Sequence, residues 1–143
     1  DKQTDELHKK DDKEGKGSKH SLVIYDDIGS AIKSDHQLEQ KLKQFSWNFR
    51  HKARSQWYLL QTYRSLSLGI RKAVTHLFLF KLSQLELELV QSELVLWLDK
   101  PQWMAVCRHV FSHGAHTCMF VDLDTQEIWR VTDMQFYHLR IDD

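Results

Sequence analysis

The segment Ser21-Leu22-Val23-Ile24-Tyr25-Asp26-Asp27-Ile28 places the strongest constraint on how this chain can fold. Four apolar residues, two of them β-branched, run directly into two adjacent carboxylates. A continuous apolar run is typical of a strand covered on both faces, as in a parallel sheet. Open α/β sheets bind ligands at the carboxyl ends of their strands, which is where these acids would lie. The segment therefore predicts either a ligand-binding strand end or a core strand that finishes in an Asp-Asp turn.

Further apolar runs alternate with helical periodicity along the rest of the chain. We predict strands at Gln56–Leu60 and His76–Phe80 and a hairpin of Thr117–Leu123 with Glu127–Val131. We predict helices at about 34–46, 66–73 and 83–98, and a further helix from Pro101 onward. Capping-box patterns begin at Ser34 and Ser83, and Gly114 follows the last helix. Strands that alternate with helices predict an α/β fold with a mainly parallel sheet and a C-terminal hairpin.

The length of 143 residues is typical of one domain. Residues 1–20 contain six lysines, six acids and one large apolar residue, so we expect a disordered segment or a long solvated loop, with order over 21–143. Residues 33–72 carry nine Lys or Arg against two acids, whereas residues 81–143 carry five against ten. The basic middle indicates phosphate or nucleic acid nearby, or else an uneven solvated surface.

Several classes of protein are disfavoured by composition. Two cysteines make no disulfide framework, and the sequence has neither a signal-peptide pattern nor an apolar run near the ~18 residues of a membrane span. We therefore expect a soluble intracellular protein with no membrane partner. The chain begins with Asp rather than Met, which we interpret as a fragment or a processed product.

Three pieces occur in a fixed order: LVIYDDI at 22–28, Arg50-His51 followed by a strand ending in LLQTYRSL at 59–66, and IRKAVTHLFLFK at 70–81. An acidic helix then begins with SQLELELVQSE at 83–93. Over roughly 21–131 this order resembles the carboxyl-terminal part of the viral DNA-packaging ATPases of the FtsK–HerA superfamily, found in poxvirus-like large DNA viruses, virophages and Polinton elements. The resemblance implies a partial P-loop NTPase (RecA-like) fold.

The resemblance also implies roles for individual residues. Asp26 matches the Walker B acid that holds Mg²⁺, and Asp27 matches the acid that orients the attacking water. Gln61 matches the sensor that contacts the γ-phosphate, a task that suits an amide because it can both donate and accept; taken alone, it could simply cap a strand end. Arg50 and Arg71 match arginines that act at subunit interfaces, although Phe49 stands where the family often has Gly. Either arginine could instead contact DNA phosphate or pair with a surface acid.

A whole motor is implied by the same resemblance. It would hydrolyse ATP with Mg²⁺, form a homo-oligomeric ring, and move double-stranded DNA into a capsid through portal components. The expected location is the host nucleus or a cytoplasmic virus factory.

The largest departure from the family is the missing Walker A loop. A P-loop reads Gly-x-x-x-x-Gly-Lys-Ser/Thr between a strand and a helix. Gly15-Lys16-Gly17-Ser18 fails because Lys10 stands at the first glycine position and Gly17 follows the lysine. We therefore expect the P-loop to lie upstream of Asp1, and this chain alone to bind ATP poorly.

Other residue groups leave alternatives open. A Cys/His series could bind zinc (Cys107, His109, His113, His116 and Cys118), although both cysteines lie in apolar runs. Asp122, Asp124 and Glu127 could serve a nuclease, but a solvated turn fits them better. Aromatic residues among basic ones could bind single-stranded nucleic acid (Trp47, Trp57, Tyr58 and Tyr63) or pack inside the fold.

Two functions compete with the packaging ATPase. One is a non-enzymatic α/β interaction module or degenerate relic of a viral element. The other is a metal-dependent nuclease or phosphotransferase that uses Asp26 and Asp27 without any P-loop.

Overall fold

The computed structural model describes residues 20–27, 34–48 and 54–141, and six strands and four α-helices lie among them. In chain order they are β1 (Ser21–Asp26), α1 (His36–Asn48), β2 (Arg54–Leu59), α2 (Leu68–Arg71), β3 (His76–Leu79), α3 (Gln84–Glu93), α4 (Lys100–Phe111), β4 (Cys118–Asp122), β5 (Glu127–Thr132) and β6 (Gln135–Leu139). This mixture confirms the predicted α/β class. The predicted solvated segment 1–20 lies, except for His20, outside the described residues.

The chain divides into two compact units. The first unit contains the described residues up to Gln61 together with Ser65–Ile70. Its strands β1 and β2 are parallel neighbours, with Ser21 opposite Arg54 and Asp26 opposite Leu59. The parallel arrangement predicted for the first two strands is therefore confirmed.

Helix α1 and the segment around α2 supply the apolar core of the first unit. The buried residues of this core are Leu42, Leu66 and Ile70, and partly buried side chains of both strands and of α1 pack against them. Asp35 accepts hydrogen bonds from the backbone N–H groups of Gln37 (3.0 Å) and Leu38 (3.1 Å). The helix is thus capped one residue later than the capping-box pattern at Ser34 predicts.

The opposite face of the β1–β2 pair is open within the described residues. Leu22, Ile24, Trp57 and Leu59 are between 47% and 55% exposed. The expectation of a strand buried on both faces is wrong for this part of the chain, because exposure alternates along β1. These four side chains are called the exposed apolar face below.

The second unit contains Thr62–Arg64 and the residues from Arg71 onward. Its sheet has the order β3-β4-β5-β6, and every neighbouring pair in it is antiparallel. The β4–β5 hairpin was predicted, but β3 was expected to join a mainly parallel sheet. That expectation is wrong among the described strands, since His76 pairs antiparallel with Asp122 and Leu79 with Met119.

Helices α3 and α4 cover one face of the antiparallel sheet. The fully buried side chains between them include Trp103, Val110, Met119, Val121 and Ile128. The indole Nε1 of Trp103 donates to the carbonyl of Leu87 at 2.7 Å, which joins α4 to α3. One buried aromatic residue thereby fixes how the two helices pack.

Both helices begin at side-chain caps. Ser83 caps α3 by accepting from the Glu86 N–H, as the sequence predicts. Asp99 and Gln102 form a reciprocal capping box at α4, with Pro101 in the first turn. Gly114 has φ +120°, which permits the chain to leave this helix at a left-handed residue. Among the described residues, no helix combines the length and apolar character needed to cross a membrane.

Candidate functional site

The two carboxylates predicted to hold and use a metal stand at the end of β1. Asp26 is the last residue of the strand, and both Asp26 and Asp27 are exposed. Asp27 has φ 52°, in the left-handed region that Asp adopts more readily than most residues. Its backbone N–H donates to the carbonyl of Leu59 at 3.0 Å, which carries the pairing with β2 one residue past Asp26.

Gln61 follows the end of the neighbouring strand. It stands two residues beyond Leu59, which pairs with Asp26, and it is exposed. Because adjacent parallel strands end at the same edge of a sheet, Asp26, Asp27 and Gln61 share the carboxyl edge of the β1–β2 pair. This edge is called the acidic edge below. It presents two oxygen ligands of the kind that Mg²⁺ prefers, beside an amide.

A tyrosine pair immediately precedes the acidic edge, and the sequence alone did not indicate it. Tyr25 and Tyr58 lie opposite each other in the register, and their rings stack with centroids 5.0 Å apart. The Tyr58 hydroxyl is 2.7 Å from the Ser46 hydroxyl of α1 and donates to Gln56 at 3.1 Å. Burial, together with the neighbouring Tyr58, raises the pKa of Tyr25 to about 12, so both rings stay neutral and hold the two strands in register.

Arg71 belongs to the second unit and is bound there by an acid. Its Nε and Nη2 donate to the two carboxylate oxygens of Glu93 at 3.0 and 2.8 Å. The hydroxyl of Tyr63 donates to the same carboxylate at 2.6 Å, and the guanidinium carbon lies 5.0 Å from the centre of the Tyr63 ring. Burial and the adjacent Glu93 carboxylate raise the pKa of Tyr63 far above its ordinary value. These three side chains are called the Arg71 cluster below.

The remaining predicted site residue, Arg50, lies with His51 in the stretch 49–53, outside the part of the chain that the structure describes. The Gly15-Lys16 pair, which does not fit the P-loop pattern, also lies outside the described residues. The role predicted for Arg50 stays a prediction.

The structure gives the Cys/His series no metal-binding arrangement. Within residues 20–27, 34–48 and 54–141, no three His, Cys, Asp or Glu side chains come together as a possible ion site. Cys107 and Cys118 are buried, and burial raises the pKa of the Cys107 thiol to about 12. His113 instead lies with Nδ1 2.8 Å from the carbonyl of His109, one turn earlier.

The acids of the β4–β5 hairpin form a turn, in agreement with the interpretation that the sequence favours. Asp122 accepts from the backbone N–H groups of Asp124 (3.0 Å) and Thr125 (3.1 Å). Although burial opposes it, the bonds from this turn and the nearby His76 hold the pKa of Asp122 below its ordinary value. This carboxylate is therefore committed to the turn.

Of the aromatic residues considered for nucleic-acid binding, Trp57 is exposed, Tyr58 belongs to the stacked pair and Tyr63 belongs to the Arg71 cluster. The side chain of Trp47 lies outside the described part.

Comparison with known proteins gives one family. The family model described as Poxvirus A32 protein matches residues 1–117, which include β1, β2, the acidic edge and the Arg71 cluster. Strands β4, β5 and β6 follow the matched region. No curated protein and no solved structure matches the chain.

Proposed function

The chain belongs to the Poxvirus A32 protein family, and from this premise we propose that it is part of the ATP-driven motor that moves double-stranded DNA into viral capsids. Family membership supports a role in viral DNA packaging. The observation that carries the finer proposal is the acidic edge, where Asp26, Asp27 and Gln61 lie at or just beyond the carboxyl ends of two adjacent parallel strands.

In this proposal the acidic edge is the metal and water side of an ATP site. Asp26 would hold Mg²⁺, and its carboxylate suits this ion, which usually takes only one or two protein carboxylates together with phosphate oxygens and water. The bound metal supplies charge neutralisation for the phosphates. Asp27 accepts a hydrogen bond from the attacking water and orients it.

Gln61 completes the edge as the γ-phosphate sensor. Its amide can donate to a phosphate oxygen and accept from the water at the same time. The stacked Tyr25–Tyr58 pair supports this task, because it fixes the register that determines how far Gln61 stands from the acids.

Since the sequence has no Gly-x-x-x-x-Gly-Lys-Ser/Thr motif, we propose that the phosphate-binding loop is supplied by a part of the motor outside these residues. The exposed apolar face supports this proposal. Four large apolar side chains, each about half exposed on one small sheet, form a surface that is costly to leave in water. We propose that the segment carrying the loop packs there.

In the assembled motor the subunits form a homo-oligomeric ring around double-stranded DNA and act with capsid and portal components. Arg50 or Arg71 would reach the ATP of a neighbouring subunit, where a guanidinium stabilises charge on the transferred phosphoryl group. Under the same proposal, the motor acts in the host nucleus or in a cytoplasmic virus factory.

The experiment that tests the proposal replaces Asp27 by Asn in the complete gene product. We expect Mg²⁺-dependent ATP hydrolysis to fall by about 100-fold or more, because the amide cannot accept the proton of water or orient it equally well. Asp124→Asn, an exposed acid in the β4–β5 turn, is the matched control and should retain full activity.

The rival functions give different results in the same assay. A metal-dependent nuclease would cleave DNA without ATP and lose that cleavage in Asp27→Asn. A non-enzymatic module would show no hydrolysis in any variant, and the substitution would change only its stability. Either result would contradict the ATPase proposal.

A further inference from the structure

Arg71 is little exposed and is bonded within the Arg71 cluster, whereas an arginine ready to act on a neighbouring subunit would be free and exposed. The side chain of Arg71 is 12% exposed, and the side chain of Glu93 is 13% exposed. Both carboxylate oxygens of Glu93 are engaged by Arg71, and one also accepts from Tyr63. A side chain held in this way cannot reach the ATP of a neighbouring subunit.

We propose that Glu93 and Tyr63 form an autoinhibitory clamp that stores Arg71 until the motor holds nucleotide at a subunit contact. This inference rests on the proposed function and adds regulation to it. Arg71 is the group that acts, whereas Glu93 and Tyr63 control its position.

The chemistry of the clamp permits exchange with a phosphate. A guanidinium binds a carboxylate and a phosphate with the same two-pronged geometry, so the triphosphate competes for the donors that Glu93 occupies. The triphosphate carries more negative charge than one carboxylate, so it would attract the guanidinium more strongly than Glu93 does. Arg71 therefore leaves the clamp only when a nucleotide-loaded neighbour is in place.

Tyr63 is itself held at two points of α3. Its backbone N–H donates to the Glu86 carboxylate at 3.2 Å, and its hydroxyl donates to the Glu93 carboxylate at 2.6 Å. The side chain that holds Glu93 is therefore anchored to the same helix as Glu93.

The first test measures ATP hydrolysis by the complete gene product. Arg71→Gln should lower kcat by about 1,000-fold, as expected for an arginine that stabilises the transferred phosphoryl group. Glu93→Gln removes the charge that stores Arg71 and should raise kcat several-fold. Tyr63→Phe keeps the ring under the guanidinium but loses the bond to Glu93, so it should raise kcat less than Glu93→Gln.

The second test measures the clamp directly in the same proteins without nucleotide. Phenylglyoxal modifies accessible guanidinium groups, and mass spectrometry locates the modified residues. Arg71 should react slowly in the wild type and several-fold faster in Glu93→Gln, whereas the exposed Arg108 should react equally in both. A merely structural ion pair would give the change in reactivity without any gain in kcat.

The outcomes separate the clamp from the proposed function. If the wild type hydrolyses ATP and Arg71→Gln does not, but both Glu93→Gln and Tyr63→Phe lower kcat, the pair is structural and the clamp is overturned. Unchanged kcat in both variants overturns it equally. If the wild type shows no hydrolysis, the proposed function fails and the clamp with it, and an active Arg71→Gln removes Arg71 from the reaction.

Discussion

Replacement of Trp103 by Phe should destabilise the second unit by about 2–3 kcal/mol. The residue is fully buried, so the smaller ring leaves unfilled space, which costs about 1–2 kcal/mol. The substitution also removes the Nε1 donor that bonds the Leu87 carbonyl at 2.7 Å, at a further cost of about 1 kcal/mol. The two costs add because the lost ring and the lost donor belong to one side chain between α3 and α4.

Urea unfolding followed by far-ultraviolet circular dichroism measures this cost. With a slope of about 1.5 kcal/mol per molar urea, the midpoint of the helical transition should fall by about 1.3–2 M. Trp57→Phe is the matched control, because the same change at a side chain that is 55% exposed should cost about 0.5 kcal/mol or less. A midpoint that falls no further for Trp103→Phe than for Trp57→Phe would refute the placement of Trp103 at the centre of this core.

Three further predictions follow from the caps and the titrating groups. Asp99→Ala should lower the free energy of unfolding by about 1 kcal/mol, because it removes the side-chain cap of α4. Asp99→Asn should lower it less, because the amide oxygen can still accept from the Gln102 N–H. Urea unfolding measures both changes. The lowered pKa of Asp122 means that its charged form stabilises the fold above the ordinary Asp pKa, and that this contribution disappears as pH falls through the lowered value. The wild type should therefore lose more stability below about pH 4 than Asp122→Asn, and equal losses would contradict the assignment. Finally, Cys107 and Cys118 should react slowly with Ellman's reagent in the folded chain and fully in urea, since burial raises the pKa of both thiols; rapid reaction of the native protein would show that the thiols are accessible.

The exposed apolar face shows where local sequence signals mislead. Leu22, Val23, Ile24 and Tyr25 are all apolar, so the sequence predicts cover on both faces of β1. The described residues cover the face of Val23 and Tyr25 and leave Leu22 and Ile24 half exposed. An apolar side chain shows that burial would stabilise this part of the strand. Whether a neighbouring element covers it depends on the rest of the assembly.

The antiparallel sheet shows a second limit of the sequence. Strand β3 is predicted at His76–Phe80 and lies at His76–Leu79, but its partner was not predicted, because the residues that pair with it are 40 to 46 positions away. Strand β6 was not predicted at all, although Gln135–Leu139 continues directly from a two-residue turn after β5. The two turn residues, Asp133 and Met134, both have positive φ, which Met rarely adopts. The sequence has no glycine at this turn, so the usual signal for a two-residue hairpin is absent.

The sequence by itself determined the α/β class, the order of the strands and helices from β1 to β5, the Ser83 cap, the helix with Pro101 in its first turn, and the position of Asp26 and Asp27 at a strand end. Each of these depends on signals within a few residues: apolar periodicity, a hydroxyl three residues before an acid, a ring that fixes φ. Only the tertiary structure decided that Gln61 shares an edge with the acids, that Glu93 binds Arg71, and that one face of β1 and β2 stays open among the described residues. These features join residues that are distant in sequence, and their free energy comes from packing and charge pairing that exist only once the chain has folded.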